Sequence, residues 1–165
     1  MSTITFEEIT TEHIHAVKEI YNYYVLNSTI SFHTEPLNSD QMKESVLNKN
    51  ARFKSFLISD DQQLVGYVLL TQYKNKQAYD VSAEVTIYLE PNYLGRGIGS
   101  HALSFIEGIA KEQGFHTLIA TICMENARSI KLFEKNGYTQ CALFKEVGYK
   151  FERWLDIGSF QKVLS

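Results

Sequence analysis

The sequence predicts an α/β fold, of the α+β arrangement, with a mixed and mostly antiparallel sheet of about seven strands and helices on both faces. Three observations lead to this prediction. Apolar and polar residues alternate in seven short segments, which is typical of strands with one buried face. Four other segments have apolar residues at helical spacing. In the middle of the chain, a strand, a glycine-rich loop and a helix follow one another directly.

Length and charge narrow the class of protein. The chain has 165 residues, enough for one domain with a substantial core, and we expect a single domain over residues 1–165. Its formal net charge of −3, with mixed signs, predicts no nucleic-acid partner. No apolar run approaches the ~20 residues of a membrane span, and no leader sequence begins the chain, so we expect no membrane partner and a cytoplasmic location. The spacing of Cys123 and Cys141 indicates neither a disulfide framework nor a metal site.

The first half of the chain begins with a short strand at residues 4–6. A helix capped by Thr10 or Thr11 follows, with its apolar face toward the core. A second helix is capped by Asn38 or Ser39. Two strands, predicted at residues 55–59 and 64–72, then form a hairpin. Their expected antiparallel partner is the next strand, at residues 81–90.

That central strand leads into the most informative stretch. Its core face is predicted to carry Val81, Ala83, Val85, Ile87 and Leu89, and Pro91 ends it. Three glycines at alternate positions follow, and a helix begins immediately after them; they are Gly95, Gly97 and Gly99. Glycine permits turn conformations and close approach of a ligand to the backbone. Because the amides of a first helical turn are unpaired, this loop is a candidate site for phosphate or pyrophosphate.

The second half continues with a strand at residues 117–123 and a helix that follows Asn126 and ends at Asn136-Gly137. Two closing strands are predicted around residues 139–144 and 154–163, with residues 148–153 as an irregular loop between them. Trp154 is expected in the core.

The loop lacks the Gly-Lys-Ser/Thr ending of a P-loop and the Gly-x-Gly-x-x-Gly spacing of a dinucleotide fold. The order strand, Gly95–Gly99 loop, helix, strand and residues 126–138 resembles the GCN5-related N-acetyltransferase (GNAT) family. Further stretches resemble its phosphinothricin acetyltransferase branch; they are residues 30–36, 78–84, 147–150 and 154–158. The resemblance implies acetyl transfer from acetyl-CoA to the α-amino group of phosphinothricin, methionine sulfone or methionine sulfoximine, detoxification, and a homodimer.

The candidate catalytic residue is Glu84. Strand alternation places it on the face opposite Ala83 and Val85. An amine that arrives protonated must lose a proton before it can attack, and a carboxylate can accept that proton directly or through water. Glu84 also matches the glutamate that serves as general base in the family, although an ordinary exposed strand glutamate is the alternative.

The resemblance also implies the coenzyme contacts, with acetyl-CoA as co-substrate and no metal. Backbone groups of Ile87, Tyr88 and Leu89 would bind the pantetheine arm. The pyrophosphate would be bound by amides of the loop and first helical turn, namely Gly95, Arg96, Gly97, Ile98, Gly99 and Ser100. Asn126 matches a coenzyme-contacting asparagine and is also a plausible helix cap. Phe32, Lys76 and Tyr79 match substrate-binding positions, with core packing as the alternative for the two aromatic residues.

Three positions depart from the family pattern. Leu94 stands where a polar side chain usually opens the loop, which predicts weaker coenzyme binding. Phe133 stands where many members have the tyrosine that protonates the departing thiolate, so the general acid is unassigned. Lys74 and Lys76 stand in a segment that carries arginine in phosphinothricin enzymes. Lysine keeps the positive charge but lacks the planar guanidinium group that forms two parallel hydrogen bonds with a carboxylate.

Two other functions share the same coenzyme site. A peptide or protein N-terminal acetyltransferase would need an open acceptor groove, whereas the aromatic residues Phe32 and Tyr79 favour a closed pocket. A non-catalytic acyl-CoA sensor would keep the glycine loop without a base, and Glu84 counts against it.

Overall fold

The computed structural model describes residues 2–164, so the first and last residues of the predicted domain lie outside it. One seven-stranded sheet has the order β1-β2-β3-β4-β5-β7-β6. Its strands are β1 (Ile4–Glu8), β2 (Ser55–Asp60), β3 (Gln63–Gln72), β4 (Ser82–Leu89), β5 (Thr117–Cys123), β6 (Thr139–Lys150) and β7 (Arg153–Val163). The helices are α1 (Ile14–Asn27), α2 (Ser39–Val46), α3 (Ile98–Glu112) and α4 (Ala127–Lys135). This arrangement confirms the predicted fold.

The two faces of the sheet have separate apolar cores. On one face, α3 buries Ile98, Ala102, Leu103 and Ile106 against the central strands. On the other face, α1 and α2 pack over β2 and β3, and Tyr21 and Tyr24 of α1 are buried there; the main members of this core also include Val17, Met42, Leu57 and Tyr67. Along β4, alternate side chains from Ala83 to Leu89 face the first core, and Tyr88 on the opposite face packs against the second.

Side-chain caps begin two of the helices. Asn38 Oδ1 accepts from the amide of Gln41 at 2.9 Å, while the Gln41 side chain accepts from the Asn38 amide at 2.8 Å. This reciprocal pair is a capping box, and it starts α2 where the sequence predicts. Asn126 Oδ1 likewise accepts from the amide of Ser129 at 3.1 Å and caps α4. Gly97, with φ +80°, precedes α3 in a left-handed conformation that favours glycine.

Three local predictions were wrong. Strand β4 starts at Ser82, and Val81 is exposed rather than part of the core face. The expected irregular loop at residues 148–153 is instead the end of a hairpin: β6 runs to Lys150 and β7 starts at Arg153, so only two residues turn the chain. Trp154 is 63% exposed and therefore lies outside the core. Its ring packs across the hairpin on Tyr149, with 4.9 Å between centroids.

A split runs through the middle of the sheet. Strands β4 and β5 are parallel and pair only from Ser82 to Glu84 and from Thr117 to Ile119. Beyond Glu84, β4 remains paired with β3, and β5 remains paired with β7. The two strands therefore diverge, and the facing edges of residues 85–89 and 120–123 have no strand partner within residues 2–164. None of the helices over this described range has the length and apolarity needed to cross a membrane.

Candidate active site

A cavity of about 360 Å³ opens beside the glycine loop, between the end of β4 and the start of α4. Its apolar wall comes from Leu94, Leu132 and Phe133. Basic side chains of α4 line its other side. Such a combination suits an elongated ligand that has both an apolar portion and negative charge.

The structure brings most of the predicted coenzyme residues to this one cavity. The residues that line it are Ile87, Tyr88, Leu89, Gly95, Gly97, Ile98, Gly99, Ser100 and Asn126. Arg96 does not line it, and its guanidinium carbon lies 4.8 Å from the centre of the Tyr93 ring. Gly95 and Gly97 both have positive φ, at +76° and +80°, a backbone conformation that occurs in anion-binding loops.

Sequence reasoning missed the basic side chains of this cavity. Arg128, Lys131 and Lys135 line it from one side of α4. Arg128 Nη1 lies only 3.4 Å from the position that a Cβ on Gly95 would occupy, so its charge stands directly beside the glycine loop. The signal was present in the sequence as basic residues at i, i+3 and i+7 of a predicted helix, a spacing that places them on one face.

A second, smaller cavity of about 50 Å³ lies in the split between β4 and β5. Residues Val85 and Thr86 line it from β4, and residues 120–123 line it from β5. It shares six lining residues with the larger cavity, and these mark the junction between the two; they are Ile30, Ile87, Tyr88, Asn126, Ser129 and Phe133. The two cavities therefore adjoin at these residues, and together we call them the path from the glycine loop into the split.

Glu84 lies at the closed end of this split. It is the last residue of β4 that pairs with β5, opposite Ile119, and it pairs with Thr71 of β3 on its other side. Its side chain is partly buried, and this burial raises the pKa of the carboxyl above its ordinary value. A carboxylate with a raised pKa is a better proton acceptor than a solvated one.

The predicted substrate residues lie outside both cavities. Phe32 and Tyr79 are 39% and 38% exposed, which excludes the alternative of core packing for both. The ring of Phe32 packs directly on Gly148 of β6. Tyr79 belongs to the connection between β3 and β4, where Lys74 Nζ lies 5.7 Å from its ring centre. Lys76 is exposed in the same connection.

Residues 28–36 form a loop, and several side-chain hydrogen bonds join this loop to the rest of the fold. Glu125 accepts from Thr29 Oγ1 at 3.0 Å and from two guanidinium nitrogens of Arg153 at 2.9 Å. The hydrogen bond from Arg153 lowers the pKa of Glu125. Lys150, which is almost fully buried, donates to the Ser31 carbonyl at 2.6 Å. Glu125 immediately precedes Asn126, so this network joins the loop to the wall of the larger cavity.

The same loop carries His33, whose Nδ1 is hydrogen-bonded to the hydroxyl of Tyr21. That hydroxyl also accepts from Ser31 Oγ at 2.7 Å. Across residues 2–164, no group of three or more His, Cys, Asp or Glu side chains is arranged to hold a metal ion. Cys123 is buried, Cys141 is exposed, and both are free thiols.

Comparison with known proteins agrees with this geometry. Residues 17–138 match the model of the acetyltransferase (GNAT) family. The chain belongs to the GNAT acetyltransferase family. A solved GNAT phosphinothricin acetyltransferase from Sinorhizobium meliloti, in complex with acetyl-CoA, superposes with a TM-score of 0.92. That structure is 28% identical and covers 99% of this chain and 89% of its own.

Among sequence relatives, the GNAT chain is 29% identical to the phosphinothricin N-acetyltransferase of Streptomyces coelicolor over 93% of this chain and 92% of the relative. It is also 29% identical to the L-methionine sulfoximine/L-methionine sulfone acetyltransferase of Salmonella typhimurium, over 88% and 86%. The family assignment confirms the expected enzyme class, an N-acetyltransferase that uses acetyl-CoA.

Proposed function

We propose that this GNAT protein transfers an acetyl group from acetyl-CoA to the α-amino group of a small amino-acid-like substrate of the phosphinothricin or methionine sulfone type. The observation that carries the proposal is the position of Glu84. The path from the glycine loop ends in the split of the sheet, and Glu84 stands where the two strands separate. Glu84 itself lines neither cavity, but the next two residues, Val85 and Thr86, line the smaller one, and burial raises the pKa of the Glu84 carboxyl.

In the proposed reaction, Glu84 accepts a proton from the substrate ammonium, directly or through one water. The free amine then attacks the thioester carbonyl carbon, so that a C–N bond forms and the C–S bond breaks. Sulfur leaves with the electron pair of the broken bond. Backbone amides along the unpaired edge of β4 are placed to stabilise negative charge on the carbonyl oxygen, an effect worth about 3 kcal/mol in comparable sites.

The coenzyme roles follow from which residues line the path. We assign the unpaired edge of Ile87–Leu89 to the pantetheine arm, and the amides from Gly95 to Ser100 to the pyrophosphate. Arg128 stands beside that loop and adds positive charge. Leu94 contributes only apolar wall, so the loop depends on its main-chain donors.

For the acceptor, we assign Phe32, Tyr79 and the lysines 74 and 76 to the substrate side of Glu84. The β3–β4 connection that carries three of them leads directly into the strand of Glu84. Their positive charge fits the carboxylate of an amino acid, and the relatives from Streptomyces and Salmonella act on such substrates according to their names. Detoxification stays an expectation from the family resemblance, and a cytoplasmic location stays a prediction from the sequence.

The test is release of the coenzyme A thiol from acetyl-CoA in the presence of an acceptor panel. The panel contains phosphinothricin, methionine sulfone, methionine sulfoximine, ordinary amino acids, polyamines and short peptides. We expect saturable turnover on the tetrahedral amino-acid analogues. Turnover only on peptides would favour an N-terminal acetyltransferase. Acetyl-CoA binding without turnover on any acceptor would favour a sensor.

We also propose that the functional unit is a homodimer formed through β6 and β7. Strand β6 is an edge of the sheet, and its hairpin exposes large apolar side chains; they are Leu143, Phe144, Val147, Tyr149, Phe151 and Trp154. An exposed, long and apolar edge strand invites pairing with another chain unless a partner covers it. A second copy supplies a surface of the same composition.

We therefore expect Trp154→Glu to convert the dimer to a monomer in analytical ultracentrifugation, because it places a charge in the middle of the apolar surface. Leu26→Glu is the matched control, since Leu26 is also exposed, at 57%, but lies on α1. The control should sediment as the wild type. A wild-type protein that is monomeric at micromolar concentration would refute this interface.

A further inference from the structure

The proposed transfer needs a group that accommodates the departing sulfur. When the C–S bond breaks, sulfur keeps the electron pair and becomes a thiolate. Phe133, whose ring lines the junction of the two cavities, has no hydrogen to donate. A hydrogen bond that stabilises the thiolate therefore comes from another group, and the polar side chains around the sulfur are candidates beside water and the backbone.

The position of the sulfur follows from the cavities. If the pantetheine arm fills the larger cavity and the acetyl group enters the smaller one, the sulfur between them lies at the junction. Only three of the six junction residues have polar side chains, namely Tyr88, Asn126 and Ser129. Other hydroxyl and thiol groups near the split, those of Thr86, Thr121 and Cys123, line the smaller cavity alone.

Two of these three residues are less suited to donate to the sulfur. The Tyr88 ring is packed among Tyr21, Tyr24 and Tyr67, with centroids 5.2–5.6 Å apart, and burial raises its pKa. The Asn126 side chain caps α4 through its oxygen and donates through Nδ2 to Ser129 Oγ at 2.7 Å.

The Ser129 hydroxyl is both oriented and free to donate, whereas no hydrogen bond found among residues 2–164 orients the Tyr88 hydroxyl. The Ser129 oxygen accepts the hydrogen bond from Asn126, which fixes the orientation of the group. None of the hydrogen bonds found among residues 2–164 uses the Ser129 hydroxyl as donor. Ser129 also lies four residues before Phe133, one turn earlier on the same face of α4.

We infer that the Ser129 hydroxyl donates a hydrogen bond to the coenzyme sulfur as it departs, and that Asn126 positions this hydroxyl. Ser129 is then a catalytic residue of the proposed reaction, on which this inference rests. The serine keeps its proton throughout. The thiolate leaves as an anion and takes a proton from solvent later, so no acidic side chain is required.

The test measures the thiol of coenzyme A itself, with no acceptor present. Coenzyme A is bound to the wild-type protein, and the pKa of its thiol is followed by thiolate absorbance across a pH titration. A donor to the thiolate lowers this pKa relative to free coenzyme A. Ser129→Ala should raise the bound thiol pKa by about one unit, a tenfold change in the ionisation constant that is typical of one hydrogen bond to a charged group.

Matched variants separate this role from a structural one. Ser129→Thr keeps the hydroxyl and should retain most of the effect, while Ser104→Ala removes an exposed hydroxyl from α3 and should change nothing. Ser129→Ala leaves the cap of α4 intact, because the cap uses the backbone amide of residue 129. It should also bind desulfo-coenzyme A as tightly as the wild type does.

The outcomes are distinct. An unchanged thiol pKa in Ser129→Ala would overturn the inference, as would an equal loss of affinity for coenzyme A and desulfo-coenzyme A, since Ser129 would then be only part of the wall. A wild-type protein that binds no coenzyme A would overturn the proposed function itself. With an accepted substrate, the inference further requires that Ser129→Ala lower kcat about tenfold with little change in KM for acetyl-CoA.

Discussion

Glu84→Gln should lower kcat by at least about a hundredfold at neutral pH while leaving acetyl-CoA affinity nearly unchanged, because loss of a general base typically costs a factor of 10²–10⁴. Glutamine has the same shape but cannot accept the ammonium proton. The glycine loop and the cavity beside it do not include Glu84, so coenzyme binding should survive. Steady-state thiol release and calorimetric titration with acetyl-CoA measure the two quantities separately. Glu44→Gln, an exposed glutamate on α2, is the control.

The protonation of Glu84 should make both catalysis and folding stability depend on pH, in opposite directions. Burial raises the pKa of its carboxyl, so kcat/KM should fall as the pH decreases through a value above the ordinary glutamate range. The contribution of this group to folding stability runs the other way: it is present at low pH and is lost as the pH rises through the raised pKa. Glu84→Gln should therefore keep or slightly increase the free energy of unfolding at neutral pH. Full activity in Glu84→Gln would remove Glu84 from the mechanism.

Gly66→Ala should destabilise the protein by about 2–3 kcal/mol, at the upper end of the cost of overpacking. A Cβ on Gly66 would collide with the Tyr88 carbonyl oxygen and come within 2.7 Å of Leu89 Cδ2. The first of these atoms belongs to the backbone of the paired strand and cannot rotate away, so β3 and β4 must separate. For a protein of this size we expect Tm to fall by about 5–10 °C.

Gly108→Ala adds the same methyl group but should raise Tm rather than lower it. Gly108 lies on the exposed side of α3, and a Cβ there would have no heavy atom within 4 Å. Alanine in a helix interior is about 1 kcal/mol more favourable than glycine, so Tm should rise by about 2–4 °C. A Gly66→Ala protein that melts at or above the wild-type temperature would contradict the close approach of the two strands.

The sequence was sufficient for the elements whose residues follow a simple period. The alternation along residues 83–89 and the caps at Asn38 and Asn126 each have one physical cause, local and visible in the residue types. The glycine loop could be predicted for the same reason, since glycine is the residue that adopts positive φ at little cost, as Gly95 and Gly97 do.

The hairpin between β6 and β7 shows where this reasoning fails. A two-residue turn with positive φ at both positions is normally marked by Asn-Gly or Asp-Gly, but here Phe151 and Glu152 adopt φ of 53° and 60°. The register of the two strands, which pair from Lys150 and Arg153 out to Thr139 and Gln161, sets this turn without the usual turn residues. The exposure of Trp154 was missed for a related reason: composition indicates an apolar side chain but not whether its own chain covers it.

The position of Arg128 beside the glycine loop also could not be predicted from the sequence. The two segments are more than 30 residues apart in sequence, and only the packing of α4 beside α3 brings guanidinium and loop together. The family resemblance marked Asn126 but gave no reason to single out the basic residues that follow it.

The short pairing between β4 and β5 leaves the two strand edges that face the split less protected from solvent than the rest of the sheet. Amide hydrogens along the facing edges at residues 85–89 and 120–123 lack a strand partner, so those pointing into the split should exchange rapidly with deuterium in the free protein. An extended coenzyme arm with its own amides would take the place of the missing strand. Exchange should then slow along these edges only, and the two halves of the sheet would unfold as one cooperative unit in the complex.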